Sequence, residues 1–425
     1  TRRGRLRAVA TGAGHARDGR AEHRRVTLAP AAPTHRALTQ FEGDTLVVPG
    51  FVTAHSHAFQ RALRGTTQRA PRDTGTFWSW REAMYRLADA LTPETIEAVS
   101  RKAFEELRRA GVVAVGEFHY VHHQRGGEPY DDRTALADAV IRAALDAGLR
   151  ITLLRTAYMR AGAGRGPEGA QRRFSDASVE RVIDDLDALR ARWQNDARVR
   201  IGVAPHSVRA VPSAWITALH AYARERAMPF HMHVAEVEGE VVECVAEHGR
   251  RPVELLAELG VLDERFVAVH ATNLAPHEAR LLGEARAFAC LCPTTERDLG
   301  DGLADVGALR DAGVRLCNGI DSHVITDPIE EARALETHER LRLRRRVTFA
   351  PREERTPAEQ LLVEGTVHGA LACGWSASLD ARGTSWSPST CVDLRATSLA
   401  DVPREDALDA LMFSGSAACV SGVRG

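Results

Sequence analysis

The feature that most constrains this chain is an alternation between residues 46 and 322, where short β-branched runs are separated by stretches of helical period. Eight runs read as strands: LVVPGFVTAH (46 to 55), VVAVGEFHY (112 to 120), RITLLRTAY (150 to 158), RIGVAPHS (200 to 207), PFHMHVAE (229 to 236), FVAVHA (266 to 271), AFACLCP (287 to 293) and RLCNGIDS (315 to 322). Between them, TPETIEAVSRKAFEELRRAG carries its own punctuation, with Thr92 as N-cap, Pro93 at the first helical position and Gly111 at the close. Strands alternating with helices imply a parallel sheet with crossover helices, and eight such units close into a (β/α)8 TIM barrel. The expected fold class is therefore α/β, with the barrel over residues 49–373.

Residues 1–48 and 374–425 are short-punctuated by Gly, Pro, Ser and Thr and lack helical period, apart from REDALDALMF. They read as one small β-domain assembled from both ends of the chain. With no initial methionine and an end at VSGVRG, this domain is expected to be incomplete.

Composition excludes several classes of partner. The 425 residues are 44% hydrophobic and carry a net charge of -1, which suits a large core and offers no charge excess for nucleic acid. No apolar run approaches the roughly 20 residues of a membrane span, and the arginine-rich N-terminus is not followed by the apolar segment of a secretory signal. The seven cysteines form no C-x-x-C pair and read as buried thiols in a reducing compartment. A cytoplasmic protein without nucleic-acid or membrane partners is expected.

Nearly every strand ends in a polar residue, and in such barrels chemistry sits at the C-terminal strand ends. His55 and His57 stand two positions apart, so on a strand they share one face. Alone, such a pair is more often hydrogen-bonded core than ligand. Joined by His233 of strand 5 and Asp321 of strand 8, it offers three nitrogens and a carboxylate, the set zinc takes while keeping a position open for water. His231 shares the face of His233 one layer deeper and is read as an interior histidine. Glu236 lies beside the metal at the loop junction, and His270 ends strand 6.

These motifs, H-S-H, H-V-A-E, V-H-A and G-I-D-S, resemble the amidohydrolase superfamily. That resemblance implies a distorted barrel with an attached β-sandwich and a metal-activated water. The longer blocks FVTAHSHAFQRAL, FWSWREAMY, GEFHYVHH, APHSVRAV, HMHVAE, CPTTERDLGDG and GIDSHV resemble the formimidoylglutamate deiminases within it. Members with two metals bridge them by a modified lysine on a central strand. Strand 4 has no lysine, and the chain's single one, Lys102, precedes strand 2, so one divalent ion, zinc, is expected.

The resemblance implies hydrolysis of a C=N bond in a small anionic amino-acid derivative, N-formimidoyl-L-glutamate, releasing ammonia in histidine degradation. Glu236 is the expected acid/base, Asp321 both ligand and proton acceptor, and His270 the group that orients the attacking water. Gln60, Arg81, Tyr120 and Arg209 are expected to contact the substrate's carboxylates and amino-acid frame, with His206 beside the scissile group. A homodimer is implied as well. The alternatives are a guanine-, adenosine- or triazine-type aminohydrolase, an imidazolonepropionase-like ring hydrolase, and a catalytically silent metal-binding barrel.

Overall fold

Eight parallel strands form the centre of the structure, a computed structural model that describes residues 38–68, 77–349, 355–376, 378–379 and 386–425. They are β1 (Phe51–Ser56), β2 (Val112–His119), β3 (Arg150–Ala157), β4 (Val199–Pro205), β5 (Phe230–Val234), β6 (Phe266–His270), β7 (Phe288–Leu291) and β8 (Arg315–Asn318). Each pairs with its neighbours in chain order. The sheet closes at a seam just beyond β8, where Asp321 bridges Ser56, Ile320 and Asp321 donate backbone N–H groups to the His55 carbonyl at 3.0 and 3.1 Å, and His57 donates to the Asp321 carbonyl at 3.0 Å. The barrel is distorted between β4 and β5, whose pairing is reduced to Val203 opposite Phe230.

The sequence run 46–55 is two strands rather than one. Thr45–Pro49 joins an antiparallel sheet and Phe51–Ser56 begins the barrel. Gly50 turns the chain between them, where a Cβ would come within 2.5 Å of the Val113 side chain. Both halves are apolar and β-branched, so the sequence pattern carries no mark of the break.

The antiparallel sheet has the order Gln40–Glu42, Thr45–Pro49, Ser389–Asp393, Val420–Arg424, and so draws strands from both ends of the described chain. The expected contribution of residues 1–37 lies outside the described residues. A helix, Ala407–Ser414, interrupts the C-terminal segment where REDALDALMF marks it.

Helix α1 (Phe77–Ala90) contains the FWSWREAMY block and is followed by α2 (Pro93–Arg109). The N-terminus of α2 is built as its sequence requires. Thr92 Oγ1 accepts from the Thr95 N–H, proline takes N1, Glu94 sits in the first turn, and Arg108 and Arg109 complement the dipole in the last. Gly111 follows with φ +94°, the left-handed backbone that ends such a helix. All seven cysteines are free and buried. Among the described residues no helix is long and apolar enough to cross a membrane.

Candidate active site

The strand ends bring His55, His57, His233, His270 and Asp321 into one buried cluster. His57 Nδ1 donates to the Phe118 carbonyl at 2.8 Å, which leaves its Nε2 bare and facing the cluster. That Nε2 lies 3.4 Å from Asp321 Oδ1, and His55 Nε2 lies at the same distance from the same oxygen. His233 Nε2 is 3.1 Å from His55 Nε2. Ligands about 2.0 to 2.1 Å from a tetrahedral zinc ion stand about 3.3 Å from one another, close to these separations. His55, His57 and His233 place ligand atoms within 4.8 Å of one another, and so do His55, His270 and Asp321, so the cluster could hold a metal ion. Burial also lowers His55 to about 3 and takes His57 and His233 below the ordinary histidine value, keeping the imidazoles in the neutral form that ligates.

Two carboxylates hold this cluster in shape. Glu117, on β2, accepts from Ser56 Oγ at 2.6 Å and from the Ala58 N–H at 2.8 Å, and Ser56 Oγ also meets His323 Nε2 at 2.8 Å, so the residue between the paired histidines is pinned on two sides. Glu296 lies 3.3 Å from His270 Nδ1 and accepts from the Cys292 N–H at 2.8 Å. Gly319 gives the seam its close approach, because a Cβ there would meet the Cβ of His55 and the Cys292 sulfur at 2.7 Å.

His270 Nε2 faces Glu236 Oε1 at 3.7 Å and Asp321 Oδ2 at 3.9 Å. Burial works to lower its pKa, but Glu236, Glu296 and Asp321 outweigh it and push the ring up to about 10, so it stands as a cation among carboxylates. The backbone here is strained. Ala235, His270, Ala271, Asp321 and His323 all have positive φ without being glycine, and such outliers persist where surrounding structure forces a side chain into place.

Above the cluster opens a cavity that His57, His233, His270, Asp321 and Glu236 help to line. Its walls include all five expected substrate contacts: Gln60, Arg81, Tyr120, His206 and Arg209. Gln60 Nε2 donates to the Tyr120 hydroxyl at 2.9 Å, while its Oε1 is buried without a hydrogen-bond partner. Arg209 donates to the Ala161 carbonyl at 2.9 Å. His55 lies below His57 and off the cavity surface. His231 is deeper still, its Nε2 on the Ala372 carbonyl at 2.9 Å, as expected of an interior histidine.

Residues 46–380 match the sequence model of the amidohydrolase family. The chain belongs to the amidohydrolase family. Among amidohydrolases it is similar to formimidoylglutamate deiminase of Pseudomonas aeruginosa, with 42% identity over 71% of this chain and 66% of the relative. It is also similar to a 5-methylthioadenosine/S-adenosylhomocysteine deaminase of Natronomonas pharaonis, with 32% identity over 68% of this chain. The chain thus spans 66% and 61% of the length of these two curated relatives. In structure it is similar to an amidohydrolase from Brucella melitensis, with a TM-score of 0.79, 31% identity and coverage of 91% of this chain and 89% of that one. The fold is shared with an adenosine deaminase from Xanthomonas campestris solved with bound zinc, at a TM-score of 0.73, 24% identity and coverage of 90% and 79%.

As an amidohydrolase the chain shows what its sequence hides. Trp80, Met84, Tyr85, Tyr158, Phe174 and Leu299 complete the cavity wall; Trp80, Met84 and Tyr85 come from the FWSWREAMY block and Leu299 from CPTTERDLGDG, though the pattern marks none of them as a substrate contact. Glu117 had a signal, a carboxylate in the middle of an otherwise apolar strand. Glu296 and Tyr85 fall in the blocks CPTTERDLGDG and FWSWREAMY and Tyr158 ends the third strand run, but their partners, His270 and Gln171, lie far away in the sequence. Lys102 sits in α2, away from the strand ends, and β4 carries no lysine.

Proposed function

We propose that this chain hydrolyses N-formimidoyl-L-glutamate to N-formyl-L-glutamate and ammonia, using one divalent ion, zinc, held by His55, His57, His233 and Asp321. The observation that carries the reading is a single cavity in which a histidine and carboxylate cluster meets two arginines. A cation bound there lowers the pKa of its water from 15.7 to about 7 and so supplies a nucleophile at neutral pH.

The chain's own residues do the rest. Arg81 and Arg209 offer guanidinium donors to the two substrate carboxylates. The unpartnered Gln60 Oε1 is an acceptor for the amidine N–H, and Tyr120 and His206 flank the reacting carbon. Asp321 takes the proton lost by the attacking water. Glu236, whose pKa burial raises, takes a proton from the water or the substrate and delivers it to the departing nitrogen. His270, cationic and locked by Glu296, stabilises negative charge that develops at the oxygen. The atoms balance: a C–O bond forms, the two protons of the water pass to the amidine nitrogen, one by way of Asp321 and one by way of Glu236, the C–N bond breaks, and the nitrogen leaves as ammonia while the oxygen stays as the formyl carbonyl. Action as a cytoplasmic homodimer on a small anionic substrate, without nucleic-acid or membrane partners, completes the reading.

A second reading has one observation in its favour. Trp80, Tyr85 and Phe174 give the cavity aromatic walls, which suit the flat ring of a nucleobase substrate. The paired arginines favour the dicarboxylate. Ammonia release from formimidoylglutamate, guanine and 5-methylthioadenosine, assayed side by side with zinc content, separates the two. Turnover of a ring substrate alone would replace the proposal.

A further inference from the structure

Tyr85 on α1 and Tyr158 just after β3 belong to different walls of the cavity, yet one side chain joins them. Gln171, in the 3-10 turn Gly169–Arg173, is buried and donates through Nε2 to the Tyr85 hydroxyl at 3.0 Å and to the Tyr158 hydroxyl at 3.1 Å. Its orientation is not free. Oε1 accepts from the Glu168 backbone N–H at 3.0 Å, and a backbone N–H can only donate, so the amide nitrogen must face the tyrosines.

Both phenol oxygens are therefore acceptors toward Gln171, and neither can return its hydrogen to the amide. Each tyrosine also stands beside one of the cavity's arginines. The Arg81 guanidinium carbon stands over the Tyr85 ring, 5.5 Å from its centre, and Arg209 lines the same cavity as Tyr158, close enough for each to act on the other's charge. A cationic neighbour draws the phenol oxygen and repels its hydrogen. Burial pushes the Tyr85 hydroxyl up to about 12, so it keeps that hydrogen at neutral pH.

We propose that Gln171 is a positioning residue that turns the hydroxyl hydrogens of Tyr85 and Tyr158 into the cavity, adding two neutral donors beside Arg81 and Arg209 for a substrate carboxylate. The inference rests on the reading of the cavity as a dicarboxylate site and deepens it. A guanidinium selects charge, whereas two fixed hydroxyls select the position of the oxygens that carry it.

Reversing the polarity tests this. Gln171→Glu puts acceptors where the amide donates and pulls both hydroxyl hydrogens back toward residue 171; Gln171→Met removes the directing group and leaves them free to rotate. KM for formimidoylglutamate is expected to rise from wild type to Gln171→Met to Gln171→Glu, by about tenfold or more in the last, with kcat within about threefold. Tyr85→Phe with Tyr158→Phe should raise KM in the wild-type background and add little to Gln171→Glu.

Calorimetric binding of glutarate separates this inference from the deiminase reading. Wild-type protein that binds glutarate, with about tenfold weaker binding in Gln171→Glu, supports the inference even if no ammonia is released, an outcome that would remove the deiminase reading alone. Equal KM in the Met and Glu variants, a loss confined to kcat, or a wild type that binds no glutarate would overturn it.

Discussion

The Nε2 atoms of His55 and His233 stand 3.1 Å apart, on strands β1 and β5 from opposite sides of the barrel. Two imidazole nitrogens this close either share one N–H or hold a cation between them. Burial keeps both rings in the neutral form that ligates, and neither Nδ1 has a partner that would fix the tautomer against it. Purified protein is therefore expected to carry about one divalent ion per chain, and chelation should lower its thermal midpoint. His233→Ala should leave less than about a tenth of the metal by atomic emission. Full metal content in that variant would rule out the ligand set.

Glu236 faces the cavity beside His270 and is no part of the proposed ligand set. Glu236→Gln keeps the shape and removes the proton carrier. Its kcat is expected to fall by about 10² to 10⁴, with metal content unchanged. Retained turnover would take Glu236 out of the acid/base role.

Arg155 is buried at the base of the β3 end, 2.5 Å from Asp176 and 2.7 Å from Asp185, and Asp185 also meets Arg133 at 2.8 Å. Asp176→Ala leaves a buried guanidinium with half of its neutralising charge. Denaturant unfolding should show a loss of about 3 to 5 kcal/mol. A loss below about 1 kcal/mol would mean that Asp185 alone satisfies the arginine.

Burial, with the nearby charge of Arg155, takes His119 down to about 3, against 6.5 for the free side chain. Between those values the unfolded chain binds a proton that the folded one does not, so stability rises with pH across that window and is lost as pH falls from 6.5 toward 3. The contribution is about 1.4 kcal/mol per pH unit for one such group. His119→Gln should flatten the dependence of unfolding free energy on pH by about that slope, measured between pH 4 and 6.5. Parallel curves would show that His119 titrates alike in both states.

Much of this was legible in the sequence because two periodicities carry it. Eight apolar runs mark the eight barrel strands, and polar residues at nearly every strand's end mark which face of the barrel is chemical, so His55, His57, His233, His270, Asp321 and Glu236 can be assigned to one barrel mouth from the sequence. The contacts between strand ends were not legible. Glu117 grips Ser56, Glu296 grips His270, and Gln171 links two tyrosines only because the closed barrel sets those residues side by side, and no local spacing encodes such a meeting. The break at Gly50 was hidden for a related reason: the clash that demands glycine is with Val113, on another strand.

The seam between Ser56 and Asp321 joins the earliest barrel strand to the latest. During synthesis the ribosome releases His55 and His57 long before Asp321 exists. Their carboxylate partner arrives only when nearly the whole barrel has been made, so the four proposed ligands can meet only in the completed barrel.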